Sequence, residues 1–318
     1  MAKFPRVVNV GYSQRKSLIL LINNALLLGF YLPCTSSALL LIMLADRSHR
    51  TRNPTSAPPA LHNAGLQSSI PPHCPNHWGI RKMEEQVERL VKKTWAKFLS
   101  TPPTARLMIA ISGIPGSGKT SLASVMVDRI NKVYAQEHPS LPPVATCVPM
   151  DGYHLTRAQL AAMPDPVYAA ARRGAAFTFD PDKFLRLVKL LREELTPETP
   201  TYYAPSFDHA VKDPVEDDIP ILPTSRVVFF EGNYLSLDKE PWRTAAKLMD
   251  ELWFVEVDFE TARRRLIHRH VKAGIAKDEA EADKRARGND LVNGREIVDN
   301  RMEVQEIIIS KEDSTWAH

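Results

Sequence analysis

A glycine-rich octapeptide occupies residues 113–120, and its sequence G-I-P-G-S-G-K-T matches the phosphate-binding pattern G-x-x-x-x-G-K-[S/T]. An apolar run at 107–111 precedes it and a helix-forming segment follows it, which is the strand–loop–helix context that the pattern requires. The glycines allow backbone N–H groups to turn inward around a phosphate, and the following helix directs its positive end towards the same anion. The motif therefore predicts a nucleotide-binding loop at the end of a buried strand.

The last residues of this phosphate-binding loop carry its side-chain chemistry. Lys119 can reach the β- and γ-phosphates of a nucleoside triphosphate, and the Thr120 hydroxyl can ligate Mg²⁺. The residues expected to bind the nucleotide are Gly113, Ile114, Pro115, Gly116, Ser117, Gly118, Lys119, Thr120 and Ser121.

Further apolar runs indicate the rest of the fold. Runs at 144–150, 227–230 and 252–257 are predicted strands, and they alternate with predicted helices at 119–136 and 183–194. Strands that are apolar throughout are typical of a parallel sheet whose two faces are both covered by helices. We therefore predict an α/β fold of the P-loop NTPase type, a parallel sheet flanked by helices on both faces, with a helical lid.

Two acidic residues directly follow predicted strands. Asp151 comes after the run at 144–150 and Glu231 after the run at 227–230, so both belong at the edge of the sheet where the phosphate-binding loop lies. Asp151 can accept the proton of an attacking hydroxyl, and Glu231 can ligate Mg²⁺ directly or through water. The alternative interpretations are a turn aspartate in an Asp-Gly pair and a solvent-exposed carboxylate at a strand end.

The predicted lid is an arginine-rich helix around residues 263–270. Arg265 and Arg269 are four residues apart and share one face of this helix. From that face they can close over the phosphates and stabilise the charge of a transition state. The alternative interpretation is a basic, solvated helix face.

Charge and composition divide the chain. Residues 1–79 contain seven Lys and Arg and a single acid, a net charge of +6, which leaves −2 for the remainder of a chain whose total is +4. A slightly acidic main domain argues against a nucleic-acid partner. We assign residues 1–52 to a basic and apolar segment, 53–82 to a disordered linker, and 83–318 to the nucleotide-binding domain, which begins with a packed helix at 84–99.

The role of residues 1–52 stays open between three interpretations. The apolar runs within residues 18–45 are each shorter than a membrane span, and the basic residues before them resemble a signal or anchor, or a mitochondrial presequence. The third interpretation is a dispensable segment, with Met83 as the working start. The three cysteines form no disulfide or zinc pattern, as expected in a reducing compartment. We expect a cytoplasmic protein, with a mitochondrial or membrane-anchored location as the alternatives.

As a set, the motifs resemble the phosphoribulokinase/uridine kinase family of P-loop kinases over about residues 83–310. The resemblance is to a branch of fungal and bacterial kinases of unassigned substrate, some of them fructose-transport-associated NTP hydrolases, and more distantly to pantothenate kinase. Besides the phosphate-binding loop, the motifs are MDGYH at 150–154, RRGA at 172–175, FD at 179–180 and again at 207–208, FEGNY at 230–234, RLIHRH at 265–270 and NDLVNG at 289–294.

The resemblance implies ATP and Mg²⁺ as cofactors, Asp151 as the catalytic base, Glu231 as an acid at the metal, and Arg265 and Arg269 as lid arginines. It also implies an acceptor pocket lined by Tyr153, His154, Arg173, Phe207 and Asn233. From their spacing alone, residues 172–174 and 203–208 would be surface loops. The Gly-Tyr-His sequence after Asp151 differs from that of relatives that phosphorylate uridine, which argues against uridine as the acceptor.

These observations predict an ATP-dependent kinase that transfers the γ-phosphoryl group to a hydroxyl of a small metabolite, such as a nucleoside, a sugar or a vitamin-like acceptor. One rival function is NTP hydrolysis with a regulatory role, which phosphate release without any acceptor would favour. The other is a non-catalytic, membrane-anchored nucleotide-binding protein, which tight ATP binding without turnover would favour. The sequence predicts neither the identity of the acceptor nor the oligomeric state.

Overall fold

The computed structural model describes residues 82–311, and a central parallel sheet organises them. The strands are β1 (Leu107–Gly113), β2 (Ala145–Pro149), β3 (Tyr202–Asp208), β4 (Asp213–Ile221), β5 (Val227–Gly232), β6 (Glu251–Glu256) and β7 (Glu306–Ile309). The helices are α1 (Met83–Ser100), α2 (Lys119–Glu137), α3 (Arg157–Ala161), α4 (Pro166–Ala171), α5 (Pro181–Arg192), α6 (Trp242–Ala246), α7 (Phe259–Lys272), α8 (Glu279–Arg285) and α9 (Leu291–Asp299).

Five of these strands form the sheet in the order β2-β5-β1-β6-β7, and every pair is parallel. Every residue of β1 and β5 is buried, because side chains on alternate faces of the sheet enter two separate apolar layers. Met108 and Phe230 belong to one layer, whereas Ile109, Phe229 and Trp253 belong to the other. The predicted α/β fold is confirmed, and the predicted strands correspond to β1, β2, β5 and β6.

The first helix is an integral part of the sheet's cover. Val87, Leu90 and Phe98 of α1 are buried in the second apolar layer. The Gln86 amide also pairs with the backbone of Ile309 at the edge of the sheet: its Nε2 donates to the carbonyl and its Oε1 accepts from the N–H, both at 3.0 Å. The helix therefore satisfies backbone groups that an edge strand would otherwise leave open.

The proposed division at residue 83 stays a prediction, because residues 1–52 and nearly all of the proposed linker lie outside the described residues. So do the apolar runs within 18–45. Among the helices between residues 82 and 311, none combines the length and the apolar character that crossing a membrane requires.

One region differs from the expectation of a surface loop. Residues 202–208 form β3, which pairs antiparallel with β4 as a separate two-stranded hairpin with an irregular register between Ala204 and Ser206. The sequence does not predict this hairpin because both strands contain proline, which is rare in strands. Pro205 lies at the irregularity, and Pro214 and Pro220 lie within β4. A two-stranded sheet tolerates them because each strand has a free edge where no N–H is needed.

We predict that a chain beginning at Met83 folds cooperatively and binds ATP, whereas a chain beginning at Pro102 aggregates. Removing α1 would expose the surface that Val87, Leu90 and Phe98 cover, and burial of each such side chain contributes about 1.5–3 kcal/mol to stability. Thermal unfolding and ATP titration of both chains measure this. Aggregation of the chain beginning at Met83 would show that residues before it supply part of the core.

Candidate active site

The phosphate-binding loop joins β1 to α2 through two glycines in the left-handed region. Gly116 has φ of 80° and Gly118 has φ of 90°, values that other residues adopt only with strain. Gly118 is also the N-cap of α2 and offers no side-chain cap, so the first N–H groups of the helix keep their capacity to bind an anion. The Ser117 hydroxyl is buried inside the loop without a hydrogen-bond partner in the described structure.

Neighbouring elements press directly on this loop. A Cβ on Gly113 would lie 2.8 Å from the carbonyl oxygen of Val255 in β6. A Cβ on Gly116 would lie 2.8 Å from the carbonyl oxygen of Ala262 in α7. The loop is therefore held by backbone contacts on two sides, and its glycines are needed for close approach as well as for their conformation.

Lys119 of the phosphate-binding loop and Glu231 of β5 form a buried ion pair. The Nζ of Lys119 lies 3.7 Å from Oε1 of Glu231, and these residues are only 8% and 6% exposed. Burial raises the pKa of Glu231, and the negative charge of Asp151 adds to this rise, whereas Lys119 and a hydrogen bond from the Thr120 side chain oppose it. Thr120 and Glu231, the two residues predicted to ligate a metal, thus lie near each other at this edge of the sheet.

Asp151 reaches the same sheet edge from the neighbouring strand. It lies in the 3₁₀ turn Met150–Tyr153 directly after β2, whose last residue, Pro149, pairs in register with Glu231 of β5. Its carbonyl accepts a hydrogen bond from Nδ1 of His154 at 2.8 Å. Asp151 is half-buried, and its negative charge acts on Glu231.

Three of the five predicted acceptor residues form one group beside Asp151. The ring of His154 lies between the rings of Phe179 and Phe207, with centroids 4.0 and 4.9 Å away. The Arg173 guanidinium lies 5.4 Å above the centre of the Phe207 ring and also pairs with Asp213 at 3.4 Å. Burial lowers the pKa of His154 and so favours the neutral ring, whose Nδ1 donates to the Asp151 carbonyl.

The other two predicted acceptor residues are placed differently. Tyr153 is 1% exposed, because its ring packs edge-on against Phe184 in the core at 5.2 Å. Its side chain therefore does not join the group around His154, whose Arg173 and Phe207 are half-buried. Asn233 follows β5 beside Glu231, and its buried Oδ1 has no hydrogen-bond partner between residues 82 and 311.

The arginine-rich helix is observed as α7, but its two predicted arginines differ in their surroundings. Arg265 donates to the Gly116 carbonyl at 3.2 Å, to Ser310 Oγ at 2.9 Å and to the Lys311 carbonyl at 2.9 Å. Arg269 is exposed, and its side chain forms no ion pair or hydrogen bond with residues 82–311. Of these two arginines, Arg265 alone hydrogen-bonds to the phosphate-binding loop.

A cavity of about 250 Å³ lies beside the phosphate-binding loop, and no sequence motif predicts it. It lies past the ends of β6 and β7 and is lined by Glu256, Val257, Asp258, Thr261, Ile309, Ser310 and Lys311. Ser310 connects it to the loop, because its hydroxyl lies 3.6 Å from the position of a Cβ on Gly118. No local motif marks these residues, which only the parallel pairing of β6 with β7 brings together.

Comparison with known proteins agrees with this geometry. The model of the phosphoribulokinase/uridine kinase family matches residues 108–303, which contain the phosphate-binding loop, Asp151, Glu231 and α7. The chain belongs to this family. The resemblance predicted from the motifs is thereby confirmed.

Individual proteins show how far the similarity of this chain extends. The ATP-dependent kinase-like protein notR' of Aspergillus versicolor is 61% identical over 159 residues, which are 50% of this chain and 92% of that protein. Protein C227.14 of Schizosaccharomyces pombe, provisionally named a uridine kinase, is 39% identical over 206 residues, which are 65% of this chain and 83% of that protein. A crystal structure from Silicibacter sp. TM1040, provisionally named a fructose transport system kinase, has a TM-score of 0.59 at 31% identity and covers 70% of this chain and 98% of its own.

In this member of the family, Gly152 joins the hairpin to the site. A Cβ at Gly152 would lie 1.9 Å from the carbonyl oxygen of Pro205 in β3. We predict that Gly152→Ala lowers the free energy of unfolding by about 1–3 kcal/mol, because the hairpin backbone must shift to admit a methyl group. Urea denaturation measures the change.

Gly288→Ala is the matched control, since a Cβ there meets no atom within 4 Å. It should leave the free energy of unfolding nearly unchanged or raise it slightly. Equal stability of the two variants would mean that the hairpin does not press on Gly152.

Proposed function

We propose that this protein is an ATP-dependent kinase that transfers the γ-phosphoryl group of ATP to a hydroxyl of a small-molecule acceptor. The observation that carries the proposal is the convergence of Lys119, Thr120, Glu231 and Asp151 at one edge of the sheet. The names of two relatives, an ATP-dependent kinase-like protein and a provisional uridine kinase, support the same general activity.

The residues at this edge fit a nucleotide with its metal ion. The uncapped start of α2 and the Ser117 hydroxyl supply unused hydrogen-bonding groups inside the loop. Thr120 and Glu231 supply a hydroxyl and a carboxylate oxygen, the hard ligands that Mg²⁺ prefers. Mg²⁺, when bound, would neutralise charge on the β- and γ-phosphates. Lys119, already paired with Glu231, would add its charge at the same place.

The acceptor side is the surface between Asp151 and the ring group of His154, Phe179 and Phe207. A hydroxyl placed next to the half-buried carboxylate of Asp151 can pass its proton to that oxygen as the phosphoryl group is transferred. Arg173 borders this surface and would orient polar groups of the acceptor. The cavity beside Ser310 adjoins the loop near Gly118 and would admit another part of the nucleotide.

An ATP-consumption screen across nucleosides, sugars, polyols and vitamin-like compounds tests the proposal. A compound that raises ATP consumption and is recovered with an added phosphate supports a kinase. Phosphate release that no compound increases would instead support transfer to water. ATP binding without turnover in every condition would contradict catalysis altogether.

We predict that Asp151→Asn lowers kcat by about 10²–10⁴-fold with little change in ATP affinity, because the variant keeps the shape of the side chain but loses the proton acceptor. Glu231→Gln should instead raise the Mg²⁺ concentration that gives half the maximal rate. Rate measurements over a Mg²⁺ titration distinguish the two. A wild-type Mg²⁺ dependence in Glu231→Gln would remove this residue from the metal site.

We predict that Arg265→Ala lowers kcat by about tenfold or more, whereas Arg269→Ala has a smaller effect. Arg265 contacts the phosphate-binding loop, and a donor fixed beside developing charge stabilises the transition state more than the ground state. Steady-state kinetics at saturating ATP measures both variants, and thermal unfolding checks their folding. A larger loss in Arg269→Ala would mean that α7 moves during catalysis and that the exposed arginine is the one that acts.

A further inference from the structure

A π-helical turn, Ala286–Asp290, separates α8 from α9 and contains part of the NDLVNG motif. Such turns insert extra backbone into a helix and are frequent at functional sites. Here the turn and the start of α9 direct two asparagines inward, and Asn289 and Asn293 are only 4% and 2% exposed. Buried amides that are costly to leave unpaired indicate a hydrogen-bonded network.

The partner of this network is the loop 172–174. Nη2 of Arg172 donates to Oδ1 of Asn293 at 2.6 Å, and its Nη1 donates to the Gly288 carbonyl at 3.3 Å. Nδ2 of Asn289 donates to the carbonyl of Arg173 at 2.9 Å. These hydrogen bonds involve two consecutive residues, Arg172 and Arg173. The loop is therefore held both through its backbone and through a side chain.

The same loop is anchored from the side of the sheet. Gly174 adopts φ of 102°, and its carbonyl accepts a hydrogen bond from the Tyr234 hydroxyl at 2.8 Å. Tyr234 follows Glu231 by three residues and is fully buried. The position of Arg173, between Arg172 and Gly174, is therefore defined from two directions.

The helical segment that holds the loop also contacts the phosphate-binding loop and α7. A Cβ on Gly294 would lie 3.3 Å from Cβ of Ile114, so α9 packs closely on the loop. Nε2 of His270 in α7 and Oδ2 of Asp290 in the π turn lie 2.9 Å apart. One continuous segment thus touches the nucleotide side, the lid helix and the loop that carries Arg173.

We infer that Arg172, Asn289 and Asn293 are positioning residues that hold the loop 172–174, and with it the Arg173 guanidinium, in a fixed place relative to the phosphate-binding loop. The assignment of Arg173 to the acceptor side rests on the proposed function, whereas the positioning itself does not. Asn293 accepts from the Arg172 side chain and Asn289 donates to the Arg173 carbonyl, so the effect of both asparagines passes through this loop.

Hydrogen–deuterium exchange of the full chain tests the inference without an identified acceptor. Arg172→Met removes the donor fork from a half-buried side chain, and Asn293→Leu removes the acceptor. Each should increase exchange of the amides in residues 172–179 by about tenfold while residues 107–118 keep their protection, since a hydrogen bond to a charged group is lost locally. Arg172→Lys, which can still donate once to Asn293, should fall between wild type and Arg172→Met.

Arg186→Met is the matched control, because Arg186 is exposed on α5 and its side chain forms no hydrogen bond or ion pair within the described residues. Exchange in Arg172→Met that equals this control would overturn the inference. So would an increase spread evenly over β1, α2 and the loop, which would indicate general destabilisation. Should Asn293→Leu fail to fold, Arg172→Met and Arg172→Lys carry the test.

Kinetics with an acceptor found in the screen separates the inference from the proposed function. Local loosening of the loop with a raised KM for the acceptor and an unchanged KM for ATP supports both. Local loosening with an unchanged KM for the acceptor supports the positioning and counts against Arg173 as an acceptor contact.

Discussion

The buried contact between Lys119 and Glu231 is the interaction on which the rest of the site depends. An unpaired charge in a protein interior is costly, and the positive charge of Lys119 opposes the rise that burial causes in the pKa of Glu231. Lys119 begins α2 and Glu231 lies near the end of β5, which means that the contact exists only if β1 and β5 are neighbours in the sheet. The order of the strands in the sheet is therefore a condition for forming this charged pair.

Close backbone approach is the second requirement of the site. Gly113 and Gly116 admit β6 and α7 against the phosphate-binding loop, and Gly152 admits the hairpin against the turn that carries Asp151. At each place a single methyl group would overlap a carbonyl oxygen. Packing of neighbouring elements therefore fixes the backbone that carries the groups proposed to act on the phosphate and on the acceptor. This fixed backbone preorganises those groups.

The segment after β6 contacts both the phosphate-binding loop and the loop 172–174. Arg265 of α7 contacts the loop carbonyl and the residues after β7, while the π turn connects α7 with the loop 172–174 through His270 and the two asparagines. Phosphate-side and acceptor-side groups come from segments far apart in the chain. Hydrogen bonds between buried and half-buried polar side chains and backbone groups are what join them.

The sequence by itself determined the phosphate-binding loop, the parallel sheet and the places of Asp151 and Glu231. Glycine conformations, apolar runs and strand ends are local properties, and parallel strands carry their ends to one edge whatever their order. Only the tertiary structure decided that Tyr153 packs in the core, that Arg265 rather than Arg269 meets the loop, and that the proline-rich residues around 205 form a hairpin. Those outcomes depend on which neighbour each side chain meets, and such contacts between distant segments leave no spacing pattern to read.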